Sequence, residues 1–227
     1  VGGTWVTPIH VTTWFVVAGL IVVPCIVHGY FIIAALFLIL KSILDAADGE
    51  LSRINNRPSY VGRYYDSISD IILNFIFLFT IAIVTDTAIY LMLLAFVGIQ
   101  LQGTLYNYYY VIFRNSVQGD TTSRIFEDKA PTAMPCESQR SVNLFFGIYN
   151  ALYITFDKAI YYLDRSAVNT TFFPRWFMTM LSTFGLGFQL LAMAVLLSLN
   201  LAEWIIPFFI MYSLMIFVFV GIRKVVL

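Results

Sequence analysis

Six long apolar runs constrain this chain more than any other feature. They cover about Val11–His28, Tyr30–Leu44, Ile68–Val84, Thr87–Phe113, Trp176–Leu199 and Leu201–Val220. About 20 helical residues cross the roughly 30 Å hydrocarbon core of a bilayer. Within lipid the backbone must satisfy its own polar groups, so runs of this kind fold as helices. Of 227 residues, 60% are hydrophobic and 11% charged, well under the roughly one-quarter charged residues of soluble domains. The expected fold is all-α: a polytopic membrane protein with six transmembrane helices, forming a single domain over residues 1–227. No repeat or linker divides it. The opening VGGTWVTPIH lacks a basic segment, so the first run reads as a span and not as a cleaved signal. Val1 in first place suggests that the native N-terminus lies further upstream.

The segment Ser141–Arg165 is aromatic-rich, yet Asn143, Asn150, Asp157 and Asp164 recur every seven residues. That period draws a polar stripe along a helix, as expected of an interfacial amphipathic helix. The competing reading is a seventh span. Charge decides between them. With six spans all 13 Lys and Arg residues fall at one end: Lys41 to Arg63, the polar loop and helix of about 114–174 with Arg175, and Arg223 with Lys224. The opposite links carry only His28, Asp86 and Glu203. Positive charge marks the cytoplasmic side, and a seventh span would send Arg223 and Lys224 outside. The protein is therefore expected to be multi-pass, in a bacterial inner membrane or an ER-type membrane, with its basic end in the cytoplasm. The two cysteines, Cys25 and Cys136, make neither a disulfide framework nor a metal-thiolate set, which suits that compartment. Zero net charge and the lack of a basic tract exclude nucleic acid as a partner.

One hydrophilic stretch interrupts the runs, Asp45 to Asp70, reading DAADGELSRINNRPSYVGRYYDSISD. Acids beside hydrocarbon are costly and mark function. Asp45 and Asp48 are three apart, and Asp66 and Asp70 four apart, so each pair shares one helix face. Turn residues Asn55-Asn56-Arg57-Pro58 let the second and third runs return antiparallel, bringing the pairs together. Four converging carboxylates need cations. An all-oxygen donor set selects Mg²⁺ or Mn²⁺ over zinc, and such ions bind substrate phosphates, two of them clamping a phosphoryl group. Gly49 permits close approach of a bulky ligand. Snorkelling acids paired with Arg53, Arg57 and Arg63 are the plainer reading. A cation channel or transporter would use the acids as an ion pathway, but it calls for acids at mid-membrane. A membrane prenyltransferase would carry two separate Asp-rich clusters.

The stretch resembles the signature of the CDP-alcohol phosphatidyltransferases, D-x2-D-G-x2-A-R-x8-G-x3-D-x3-D. Here it reads Asp45, Asp48, Gly49, Ser52, Arg53, Gly62, Asp66 and Asp70, with Ser52 in the Ala position. Seven matching positions at about 5% each arise by chance on the order of once in a billion starts. The resemblance implies an integral membrane, phospholipid-synthesising enzyme that takes a CDP-linked lipid donor, CDP-diacylglycerol, and a small alcohol acceptor, and releases CMP. The reverse pairing, CDP-choline or CDP-ethanolamine with a lipid hydroxyl, uses the same motif. By that analogy Asp45, Asp48, Asp66 and Asp70 hold two Mg²⁺ or Mn²⁺ ions, and Asp70 is also the base. Gly49, Arg53 and Ser59 contact the nucleotide diphosphate, while Ser52 and Gly62 shape the cytidine pocket. The resemblance also implies a homodimer.

Other features read more plainly. Tyr106, Tyr108, Tyr109 and Tyr110 are expected to form an interfacial belt in preference to a cage for a quaternary ammonium. The basic residues Arg114, Arg124, Lys129, Arg140, Arg165 and Arg175 could hold a phosphorylated acceptor such as glycerol phosphate or inositol phosphate, but they are interleaved with Asp120, Glu127, Asp128 and Glu137, as expected of a self-paired, solvated loop. His10 reads as an interfacial residue. Lys41, one turn before Asp45, is placed either to balance the acids or to meet a phosphate.

Overall fold

The computed structural model describes residues 8–54, 59–116, 129–135, 137–170 and 172–226, with backbone alone for 8–10, 48–54 and 116. The described residues form helices and contain no strand. They run α1 (Pro8–Val27), α2 (Phe31–Ile54), α3 (Tyr60–Val84), α4 (Ile89–Ser116), α5 (Gln139–Leu163), α6 (Arg175–Leu181), α7 (Leu186–Ser198), α8 (Ile205–Ser213) and α9 (Met215–Val226).

Two boundaries differ from the sequence expectation, and both matter for the acids. Helix α2 continues past Leu44 to Ile54, because Ala46, Ala47, Glu50 and Leu51 are good helix formers. Asp45 therefore stands within a rigid helix. Helix α3 starts at Tyr60, well before the apolar run at Ile68, because Ser59 caps it: its Oγ accepts from the Gly62 amide at 2.8 Å, satisfying one of the orphan donors of the first turn. The turn expected at 55–58 lies outside the described residues, as does most of the loop that follows α4.

At the far end three short links each contain one left-handed residue, Gly29 (φ 75), Asp86 (φ 51) and Asn200 (φ 59). These are the residues that end a helix at least cost there: Gly lacks a Cβ, and Asp and Asn tolerate the region. They lie in the links that carry no Lys or Arg. Above them a shared core joins α1, α2, α3, α4, α7 and α8, including Ile26, Leu38, Leu73, Phe77, Ile81, Ile99, Leu190 and Phe209. Small residues allow the closest crossings, as usual between membrane helices. A Cβ on Gly19 of α1 would sit 2.8 Å from Leu73 Cδ1, and one on Gly98 of α4 would collide with Ser213 of α8.

Among the described residues three helical stretches are long and apolar enough to cross a membrane: Tyr60–Val84, Ile89–Asn115 and Ala202–Val226. Arg175–Phe184 with Leu186–Ser198 makes a fourth if the pair counts as one span bent by 54°, and Val11–Val27 is a shorter apolar helix. The expected fifth run is thus a broken one. Ser182 and Thr183 hydroxyls donate back to the Thr179 and Met180 carbonyls, each at 2.7 Å, a competition that weakens helix continuation. At Gly185 the backbone is extended, and a Cβ there would lie 3.0 Å from Ser182 O. The Phe184 carbonyl opened by the break is recovered by Gln189 Nε2 at 3.2 Å.

Helix α5 is not among the candidate spans. Its first half packs Val142, Phe145, Phe146 and Tyr149 around Tyr64 and Ile68 of α3. Its last turn packs Ile160 with Leu105, Tyr109 and Phe219 from α4 and α9. At its C-terminal end Asp164 is buried in an ion pair with Arg223, and Lys224 Nζ donates to Leu163 O at 3.0 Å. The basic end of α9 is therefore bound to the C-terminal end of α5.

Candidate active site

Helices α2 and α3 bring Asp45, Asp66 and Asp70 together, with one carboxylate oxygen from each within 4.8 Å of the others. At such a separation two full charges repel by roughly 3 kcal/mol at an effective dielectric near 20. Lys41 answers Asp70. Lys41 Nζ, on the turn of α2 before Asp45, donates to Asp70 Oδ1 at 2.6 Å, and its side chain is fully buried. It lies over the Phe15 ring of α1, 4.6 Å from the centroid, so α1 supplies the floor on which the ammonium crosses from α2 to α3. This resolves the two readings of Lys41 in favour of balancing the acids. Lys41 pairs with Asp70 in particular, and the three carboxylates remain close enough to share an ion. The donor set, all oxygen and all anionic, fits a hard divalent ion such as Mg²⁺ or Mn²⁺.

A cavity of about 310 Å³ opens beside the acids, and Asp45, Asp66 and Asp70 line it. Each surrounding helix presents polar residues to it at helical spacing. Helix α3 gives Asp66, Asp70 and Asn74; α4 gives Gln100, Gly103, Thr104 and Asn107; α5 gives Tyr149, Tyr153 and Asp157; and α7 gives Gln189. Tyr153 donates to Ser67 O at 2.8 Å. Burial, reinforced by the charge of Asp70, pushes its phenol well above the usual tyrosine range, so Tyr153 remains a neutral donor. The signal for these residues was present as polar positions three or four apart in apolar runs, but the sequence gives no partner for them. The seven-residue stripe in α5 does not act as one face. Asp157 lines the cavity, Asn143 accepts from Gln139 at 2.8 Å, and Asp164 is buried against Arg223.

The remaining motif residues fall elsewhere. The side chains of Asp48, Gly49, Ser52 and Arg53 lie outside the described residues; their backbone continues α2, with Asp48 about one turn beyond Asp45. Ser59 and Gly62 form the N-cap of α3 and are not among the cavity's lining residues. Ser59 Oγ also donates to Glu137, whose carboxylate accepts from the amides of Tyr60 (3.2 Å) and Val61 (3.1 Å). A carboxylate at a helix N-terminus meets both orphan amides and the positive end of the helix dipole. Glu137 is therefore tied to the motif helix and is not part of a self-paired loop.

The tyrosine group divides as well. Tyr106 lines the cavity and stacks on Tyr110 at 5.5 Å. Tyr109 is fully buried and donates to Asp164 Oδ2 at 2.5 Å, and Tyr108 donates to Asp164 O at 3.1 Å. Those two serve a buried polar cluster, not the belt expected of them, because Asp164 needs donors.

No curated protein and no solved structure matches the chain. A family model described as CDP-alcohol phosphatidyltransferase matches residues 5–137, more than half the chain, taking in α1 to α4 and all four motif aspartates. The apolar helices, the gathered carboxylates and this match agree that the chain is an integral membrane phosphotransferase belonging to the CDP-alcohol phosphatidyltransferase family, which moves a phosphoalcohol from a CDP-alcohol to an acceptor.

Proposed function

We propose that the protein transfers a phosphatidyl group from CDP-diacylglycerol to a hydroxyl of a small polar alcohol, releasing CMP. The observation that carries this reading is the convergence of Asp45, Asp66 and Asp70 within 4.8 Å at the edge of a polar cavity. With Asp48 completing the set, they would hold two Mg²⁺ or Mn²⁺ ions, which when bound supply charge neutralisation to the pyrophosphate and polarise the acceptor oxygen. Asp70 takes the acceptor's proton as its oxygen bonds to the lipid-side phosphorus. The P–O bond to the nucleotide phosphate breaks, and CMP leaves with that electron pair. Lys41 holds the Asp70 carboxylate in place beside the acceptor. Gly49, Arg53 and Ser59 contact the diphosphate, and Ser52 and Gly62 bound the cytidine pocket. A second, apolar cavity of about 350 Å³, lined by Ile71, Ile72, Phe75, Phe96, Ala151, Leu152 and Phe156, adjoins Asp70 along α3. It supports a donor that carries acyl chains.

In the same reading residues 1–227 are one membrane domain of six spans, with α5 at the interface and the acids at the cytoplasmic face. The exposed apolar faces of α1 (Trp14, Val17, Leu20, Ile21) and α2 (Ile32, Ile33, Leu36, Ile43) suit lipid.

The test is CMP release by the purified protein in nanodiscs, given CDP-diacylglycerol and an alcohol, with Mg²⁺, Mn²⁺ or chelator. Metal-dependent release that disappears in Asp70→Asn is expected. Release only from CDP-choline or CDP-ethanolamine with diacylglycerol would reverse donor and acceptor, and no release from any donor would overturn the reading.

A further inference from the structure

Two amides that line the polar cavity each have one buried hydrogen-bonding atom without a protein partner. Asn74 Oδ1 and Gln100 Nε2 are buried without a hydrogen bond, in residues 4% and 6% exposed. Leaving such a group unmet costs about 1–3 kcal/mol, so buried side chains of this kind call for a ligand or an ordered water. A third amide in the same wall shows the contrast. Gln189 Nε2 is held by Ile99 O, Phe184 O and Gln102 Oε1, each at 3.2 Å, and Gln102 in turn donates to Ser213 at 3.0 Å. That amide is built into the scaffold. Asn74 and Gln100 face the same cavity and are not.

Asn74 lies one turn beyond Asp70 on α3, on the same face, and Gln100 reaches the cavity from α4. One atom needs a donor and the other an acceptor. A hydroxyl supplies both; an ammonium could satisfy only Asn74, and a phosphate or carboxylate only Gln100. Among the described residues that line the cavity there is no Lys or Arg, while Asp45, Asp66, Asp70 and Asp157 are all acidic. A phosphorylated alcohol would bring its dianion against those four carboxylates without a cation from the described lining residues. The volume, about 310 Å³, is at the small end of ligand pockets, roughly 300–1,000 Å³.

We infer that Asn74 and Gln100 form the acceptor-binding end of the site and that the acceptor is an uncharged polyol. One hydroxyl attacks beside Asp70, while others, further in, bond to the two amides. Thr104, Asn107 and Tyr153 add hydroxyl and amide groups along the same wall. The inference rests on the transferase reading and goes beyond it by assigning the acceptor's class and the residues that select it.

The experiment is a panel of acceptors offered to the purified protein in nanodiscs with CDP-diacylglycerol and Mg²⁺, following CMP: glycerol and inositol, their monophosphates, and serine, ethanolamine and choline. Release supported by a free polyol and not by its phosphate is expected. Release confined to the phosphates or the amino alcohols overturns this inference and leaves the transferase reading standing; release with no acceptor at all overturns both. Asn74→Leu and Gln100→Leu then test the residues. Each should raise KM for the polyol about tenfold, the loss of one hydrogen bond of about 1.4 kcal/mol, with KM for CDP-diacylglycerol unchanged. Their melting temperatures should hold or rise, because an apolar isostere removes an unmet amide. A lower melting temperature with an unchanged polyol KM would make the pair a structural water site only and overturn the assignment. Should one variant fail to fold, the other reads the same KM split.

Discussion

Two acidic sites in this molecule face a buried cation, one sealed in the interior and one open to a cavity. Asp164, fully buried, accepts from Arg223 through both carboxylate oxygens and also from Tyr109 and Ser166, while Tyr108 takes its backbone carbonyl. Arg223 Nη2 is bonded to Ser166 as well, at 2.6 Å. Every lone pair that burial strips of water is replaced, as such a pair requires. At the other site Lys41 meets Asp70, and a polar cavity opens beside Asp45, Asp66 and Asp70. The first acid ties α5 to α9 through protein groups alone. The second cluster faces a space that a ligand can enter. Access to a cavity, and not charge alone, separates the structural acid from the functional ones.

Exchanging the consequences of the two sites would break that distinction. The largest effect is expected at Asp70. Asp70→Asn should lower CMP release by about 10²–10⁴-fold, the usual worth of a positioned base, in protein that still folds. Assays of release, normalised to the folded fraction of the same preparation, check it. At the other site Asp164→Asn or Arg223→Met should destabilise by about 3–5 kcal/mol, since each strands a buried charge or its partners, while turnover per folded molecule is retained. The double variant should recover part of the loss, and denaturation in detergent, run as a double-mutant cycle, measures it.

A sharper contrast comes from metal. Mg²⁺ should raise the melting temperature of the protein by mass action, by roughly 2.7 kcal/mol at a hundred times Kd. Arg223→Met should keep that increment, whereas Asp45→Asn and Asp66→Asn should lose it. An equal response in all of these variants would mean that the ion binds elsewhere. The smallest effect is expected at the link between the loop and the motif. Glu137→Gln weakens the acceptors at the N-terminus of α3 and should cost about 0.5–2 kcal/mol of local stability, seen as faster hydrogen exchange at the Tyr60 and Val61 amides.

Much of this was legible along the chain. Spacings of three and four residues place Asp45 with Asp48 and Asp66 with Asp70 on helix faces, because the α-helix repeats every 3.6 residues and needs no tertiary information to do so. Hydropathy marks the apolar runs, and Gly29 and Asn200 mark where two of the turns fall. What was hidden depends on contacts between distant segments. Lys41 could have met a phosphate or an acid until α1 and α3 closed around it. Asp164 and Arg223 stand far apart in sequence, in a supposed surface stripe and a supposed basic tail. Glu137 looked like one more charge in a mixed loop.

The sequence by itself determined the helical membrane class, the motif and the chemistry its four aspartates imply, since these rest on local periodicity and on residue type. Only the tertiary structure decided which acid is sealed in the interior and which acids face a cavity, and that Asn74 and Gln100 share that cavity with the aspartates. The physical reason is that a hydrogen bond needs a partner within about 3 Å, and for a side chain buried between helices that partner comes from wherever packing delivers it.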